Sequence, residues 1–257
     1  MVKLVGPQRV AERLGSSAFV LVDPRRPMKY LSGHLPGAVN LPAYRAFGDD
    51  GRLLDPAVLG AWLGAGGIGD GAAPLLYDSP QGQNAAMVAW ILEYLGVPEV
   101  YLLDVFFERW KSEGREVVYR PVDATPRRFV PSPNPRIRAT LDEVRANASE
   151  RLVDFRSAEE FNGERDLDGR PGHIPHAVNL VWRELNGTGD RLLASREELE
   201  RQVAAAGIGR GQKVIAYCRS GPRAALGYLA LSQLGYEVRL YDGSFAEWAR
   251  AGMAVER

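Results

Sequence analysis

The chain has 257 residues, 46% hydrophobic and 25% charged, which is enough to bury one large core or two ordinary ones and too apolar for a disordered chain. Its 32 Lys and Arg balance 32 Asp and Glu, so net charge recommends neither nucleic acid nor an anionic membrane as a partner. A single cysteine excludes an internal disulfide, a Cys-x-x-Cys redox pair and a multi-thiolate zinc site.

In chain order, the opening MVKLVGPQRVAERLG has no apolar signal-like stretch. The longest apolar run, near 85–92, is well short of the roughly 20 residues a bilayer requires, so a cytoplasmic protein is expected. A strand is predicted over 19–22, running into LVDPR at 21–25, and GHLPGAVNL follows at 33–41. The next strand, over 75–77, leads into DSPQGQNAAM. Val88, Ile91, Leu92 and Leu95 then recur at i, i+3, i+4 and i+7, the mark of a helix with one apolar face. A third strand is predicted over 100–103, and Trp110 lies in the helical pattern after it. The stretch PVDATPRRFVPSPNPR at 121–136 holds five prolines and reads as an extended connector.

Beyond the connector the elements repeat. LVDPR returns as LVDFR at 152–156, and GHLPGAVNL as GHIPHAVNL at 172–180. Strands are predicted over 152–153, 214–217 and 238–241, with Leu226, Leu229, Ala230 and Leu234 marking the matching helix. Tyr77 pairs with Tyr217, Asp104 with Asp242, and Trp110 with Trp248, a repeat far longer than the roughly 20–50 residues of a solenoid unit. This is a duplicated α/β domain, each copy a mainly parallel sheet flanked by helices: 1–120, a linker over 121–138, and 139–257. Sites in such sheets form at the carboxyl ends of the strands.

Cys218 holds that position in the second copy, directly after strand 214–217, and CRSGPR forms the turn into the next helix. A tight turn directs backbone N–H groups inward, and the helix adds its positive end, so a thiolate is favoured. Arg219 and Arg223 add positive charge, and a thiol pKa below the free value of about 8.5 is expected. In the first copy Asp78 stands opposite Cys218, leaving that copy without a nucleophilic sulfur.

The paired D-x-R and GH(L/I)P-x-AVNL segments, CRSGPR and YDGSFAEW at 241–248 make nearly the whole chain resemble the tandem-domain rhodanese, or thiosulfate sulfurtransferase, family. That resemblance implies an inactive first domain and a second in which Cys218 takes a sulfane sulfur as a persulfide and passes it to cyanide or a thiol. The expected partners are a small-molecule sulfur donor and acceptor, with no metal or organic cofactor. Arg219, Ser220, Gly221 and Arg223 are the candidate substrate-binding residues. Arg165 joins them because tandem relatives place a substrate-contacting arginine in the segment before GHIP. Where some thiosulfate-using relatives carry a basic residue, this chain has Pro175, for which Arg165, Arg170 or Arg183 are the candidate substitutes.

The charged turn suits the thiosulfate dianion, whereas mercaptopyruvate-using relatives carry an uncharged loop. A phosphatase or arsenate reductase would need Cys-x5-Arg, which places arginine at Ala224, one residue beyond Arg223. A non-catalytic sulfur carrier remains open. His34, His173 and His176 read as turn histidines, and the Asp23–Arg25 and Asp154–Arg156 pairs as structural. Ser244 and Glu247 read as a capping box opening the last helix.

Overall fold

The computed structural model describes residues 2–257 and divides into two compact units. The first comprises the chain through Phe47, Leu54–Asn134 and Thr188–Leu192; the second comprises Gly48–Leu53, Pro135–Gly187 and Leu193–Arg257. Among the described residues no helix is long and apolar enough to cross a membrane.

The first unit is built on five parallel strands: β1 (Lys3–Val5), β2 (Phe19–Asp23), β3 (Val39–Asn40), β4 (Ala73–Leu76) and β5 (Tyr101–Leu103). Their spatial order is β1-β5-β4-β2-β3, with Leu21 opposite Leu75 and Leu76 opposite Leu102. The second has four, also parallel: β6 (Arg151–Asp154), β7 (Val178–Asn179), β8 (Val214–Tyr217) and β9 (Val238–Leu240), in the order β7-β6-β8-β9. Helices Gln83–Tyr94 and Pro222–Gln233 follow β4 and β8 as the crossovers that parallel pairing demands. Strands β1, β3 and β7 go beyond the sequence reading and are revealed by their pairing with β5, β2 and β6. The second unit has one isolated parallel bridge, Arg138 to Leu240, as its added edge.

The recurrent motifs form one device in each unit. Arg25 grips Asp23 in a fork at 2.6–3.1 Å and donates to Gly33 O at 2.8 Å; Arg156 grips Asp154 at 2.7–3.1 Å and donates to Gly172 O at 2.8 Å. The Asn40 and Asn179 amides donate to the carbonyls of the same pairs. Asp23 and Asp154 are fully buried, so each charge needs its partner. Gly172 has φ 122°, and a Cβ there would lie 2.0 Å from Glu256 O, which is why glycine opens the motif. His34 bonds the carbonyls of Tyr30 and Arg120, and His173 bonds Phe161 O while stacked on its ring at 3.6 Å; both have structural roles, but they sit in isolated antiparallel bridges with Val118 and Glu256 and not in turns.

The proline-rich stretch has no regular structure up to Pro135–Ile137, a single 3-10 turn. It lies against the first unit: Arg127, Ser132 and Asn134 N–H groups donate to the carbonyls of Gly64, Leu95 and Tyr94. Gly64 permits the approach, since a Cβ there would meet Arg127 O at 2.5 Å.

Candidate active site

Strand β8 is buried along its whole length and delivers Cys218 to its carboxyl end, where the residue is 1% exposed. Gly221 closes the turn with φ 103°, a conformation that favours glycine, and Pro222 starts the helix with its fixed φ. Folded this way, the turn brings the Gly221 N–H to 3.1 Å from Cys218 Sγ. The sulfur thus faces a backbone donor at the start of a 12-residue helix.

The turn is fastened from the other side. Phe245 and Ala246 N–H groups donate to the carbonyls of Cys218 and Arg219, each at 2.9 Å. Ser244 Oγ accepts from Cys218 N–H at 3.2 Å and donates to Tyr241 O at 2.8 Å. This overturns the capping-box reading of Ser244 and Glu247. The cap residue is Gly243, without a side-chain cap bond, and Ser244 spends its hydroxyl on the cysteine turn while holding φ 53°.

Both arginines of the turn meet carboxylates. Arg223 forks onto Glu160 at 2.5 and 3.0 Å, with side-chain exposures of 19% and 5%. Burial acts to raise the Glu160 carboxyl, but the Arg223 bonds and charge outweigh it and hold the group at about 2. Burial likewise acts to lower Arg223, and its bonds to Glu160, with the charges of Cys218 and Glu160, raise it instead. Arg219 forks onto Asp168 at 2.9–3.1 Å.

Ser220 is exposed at the tip of the turn, and Gly221 is buried. Arg165 is exposed, its N–H bonded to Glu159 O, on the same stretch that carries Asp168. Arg170 bonds the carbonyls of Gly252 and Met253, and Arg183 stacks over Trp182 at 5.0 Å. Sequence reasoning missed Glu160 and Asp168. Glu160 does form a capping box with Ser157, a local signal that accounts for it without reference to Arg223.

The first unit repeats the arrangement with Asp78 in place of the cysteine and neither arginine in its turn. Phe107 N–H donates to Asp78 O as Phe245 does to Cys218 O, but the turn is one residue longer and passes through Gln81 at φ 99° and Gly82 at φ 69°. The Asp78 carboxylate accepts from the N–H groups of Ser79, Asn84 and Ala85 at 2.8–3.0 Å, so this copy carries its own anion in the cradle. Burial nonetheless raises Asp78 to about 6.

The sequence profile of the rhodanese-like domain matches the chain twice, over 6–113 and 139–251. A protein of Synechococcus elongatus named "Putative thiosulfate sulfurtransferase" is 33% identical over 99% of this chain and 85% of its own length. A Pseudomonas aeruginosa protein named "Probable 3-mercaptopyruvate sulfurtransferase" is 30% identical over 96% of this chain and 94% of its own. Among solved structures, the 3-mercaptopyruvate sulfotransferase SseA of Escherichia coli superposes with a TM-score of 0.86 at 26% identity, over 95% of this chain and 99% of that one. The chain belongs to the rhodanese family of sulfurtransferases, with the family's domain present twice.

Proposed function

We propose that the chain transfers a sulfane sulfur from thiosulfate to a thiophilic acceptor, cyanide or a thiol, through a persulfide on Cys218. The observation that carries this is the Gly221 N–H aimed at Cys218 Sγ at 3.1 Å, in a turn closed by a helix N-terminus. The Cys218 thiolate attacks the outer sulfur of thiosulfate; the new S–S bond forms as the old one breaks, and its electron pair leaves with sulfite. The product anion, Cys218–S–S⁻, keeps one negative charge, which the turn's N–H groups and the helix end stabilise. Cyanide or a thiolate then attacks the terminal sulfur and leaves as thiocyanate or a new persulfide, returning the Cys218 thiolate. The exchange needs no external oxidant or reductant.

In this reading Arg219, Ser220 and Gly221 form the face met by the donor, Arg223 contributes charge beside the sulfur, and Arg165 lies on the exposed approach. A second donor, 3-mercaptopyruvate, is supported by the names of the Pseudomonas and Escherichia coli relatives. The carboxylates opposite both turn arginines also favour a donor of lower charge. It would yield the same persulfide and release the enolate of pyruvate, which takes up a proton.

Intact mass after incubation with thiosulfate tests the proposal. One added sulfur, removed by cyanide and absent in Cys218→Ser, is expected; an unmodified wild-type chain would overturn it. The ratio of kcat/KM for the two donors then ranks them.

A further inference from the structure

The two arginines of the cysteine turn are matched by acids in unequal ways. Arg223 and Glu160 are both largely buried and form a fixed pair. Arg219, the residue next to the nucleophile, is 42% exposed on its side chain, while its partner Asp168 is 12% exposed. Asp168 comes from the stretch between Gly163 at φ 76° and Gly169 at φ 70°, and is presented by an Asx turn in which Asp166 Oδ1 accepts from the N–H groups of Asp168 and Arg170. The fork from Arg219 reaches both Asp168 oxygens, and a further bond goes to Leu167 O. This is the bidentate geometry by which arginine also binds oxyanions.

We infer that Asp168 is a specificity-determining residue that competes with anionic donors for Arg219. A dianion seated at Cys218 gains the Arg219 guanidinium only by displacing the Asp168 carboxylate, so Asp168 taxes thiosulfate more than it taxes a donor of lower charge. The 42% exposure of Arg219 makes the exchange feasible, since a guanidinium with a solvent-facing side can take a ligand there as its bonds to the less exposed Asp168 carboxylate loosen. Arg223 offers no such exchange, because opening its pair would strand a buried carboxylate.

The inference rests on the proposed sulfur transfer at Cys218, and a binding measurement separates the two. In the Cys218→Ser background no sulfur is transferred, and titration calorimetry reads thiosulfate binding alone. Asp168→Asn added to that background is expected to tighten thiosulfate about fivefold, with a steeper salt dependence. Arg219→Gln should remove the gain, so that Asp168→Asn changes nothing in its presence. In the enzyme with Cys218 intact, Asp168→Asn should lower KM for thiosulfate relative to 3-mercaptopyruvate by a similar factor. Unchanged thiosulfate affinity in Asp168→Asn, or a gain that persists with Arg219→Gln, overturns the inference. A missing sulfur adduct in the wild type would overturn the transfer reading while the calorimetric comparison still decides the role of Asp168.

Discussion

Asp78 and Glu160 are two buried acids whose environments act in opposite directions. Asp78 is raised to about 6 by burial, which outweighs its three backbone donors. A proton is therefore bound more tightly in the folded state, and its stabilising effect is present at low pH and lost as pH rises through 6. The raised value corresponds to about 3 kcal/mol across that window. Denaturant titrations at pH 4.5 and pH 7 should show this loss in the wild type and a flatter pH dependence in Asp78→Asn. Glu160, held at about 2 by Arg223, contributes stability above the ordinary glutamate value that is lost only as pH falls through 2. Glu160→Gln should cost about 3 kcal/mol at neutral pH by leaving the Arg223 charge buried and half-paired. An unchanged unfolding midpoint would contradict that role.

At the scale of elements, helix Pro222–Gln233 has to lie close against the sheet to keep Cys218 and Gly221 in register. Gly227 permits this: a Cβ there would come within 2.3 Å of the buried Phe155 ring. Helix propensity alone says that alanine should stabilise the position by about 1 kcal/mol. The packing says the reverse, and Gly227→Ala is expected to destabilise by about 1–3 kcal/mol through overpacking. The sign of the shift in denaturant midpoint separates the two. Both crossover helices were legible from apolar spacing, since Val88, Ile91, Leu92 and Leu226, Leu229, Ala230 are all buried. The last helix and its start at Ser244 were legible too, but the role of the Ser244 side chain was not. Ser244 satisfies a capping pattern in sequence while its hydroxyl bonds Cys218, 26 residues earlier.

The whole molecule uses one fold twice and carries its single cysteine in the second copy. The Asp–Arg forks belong to the shared fold, so Asp23→Asn and Asp154→Asn should each weaken their own unit by about 3–5 kcal/mol. Only Asp154 lies beside Tyr217 in the sheet, one residue before Cys218. Peptide-resolved hydrogen exchange should therefore show matching local losses in the two variants, with slowed sulfur transfer in Asp154→Asn alone. Equal slowing in both would mean that the first unit takes a direct part in the chemistry.

The duplicated α/β architecture, the strands that carry motifs, the turn at Cys218 and the missing sulfur at Asp78 were all written in the chain. These depend on spacing within a few residues, or on copies that can be laid side by side. The partners of the charges were not. Asp168 lies 51 residues from Arg219, and Glu160 lies 63 from Arg223. Parallel crossovers bring such distant segments to the same sheet end, and nothing in local periodicity records which acid will meet which base. Read along the chain, CRSGPR is a doubly positive turn. Folded, each of its arginines faces a carboxylate, so that the turn's charge is set by acids that no local spacing announces.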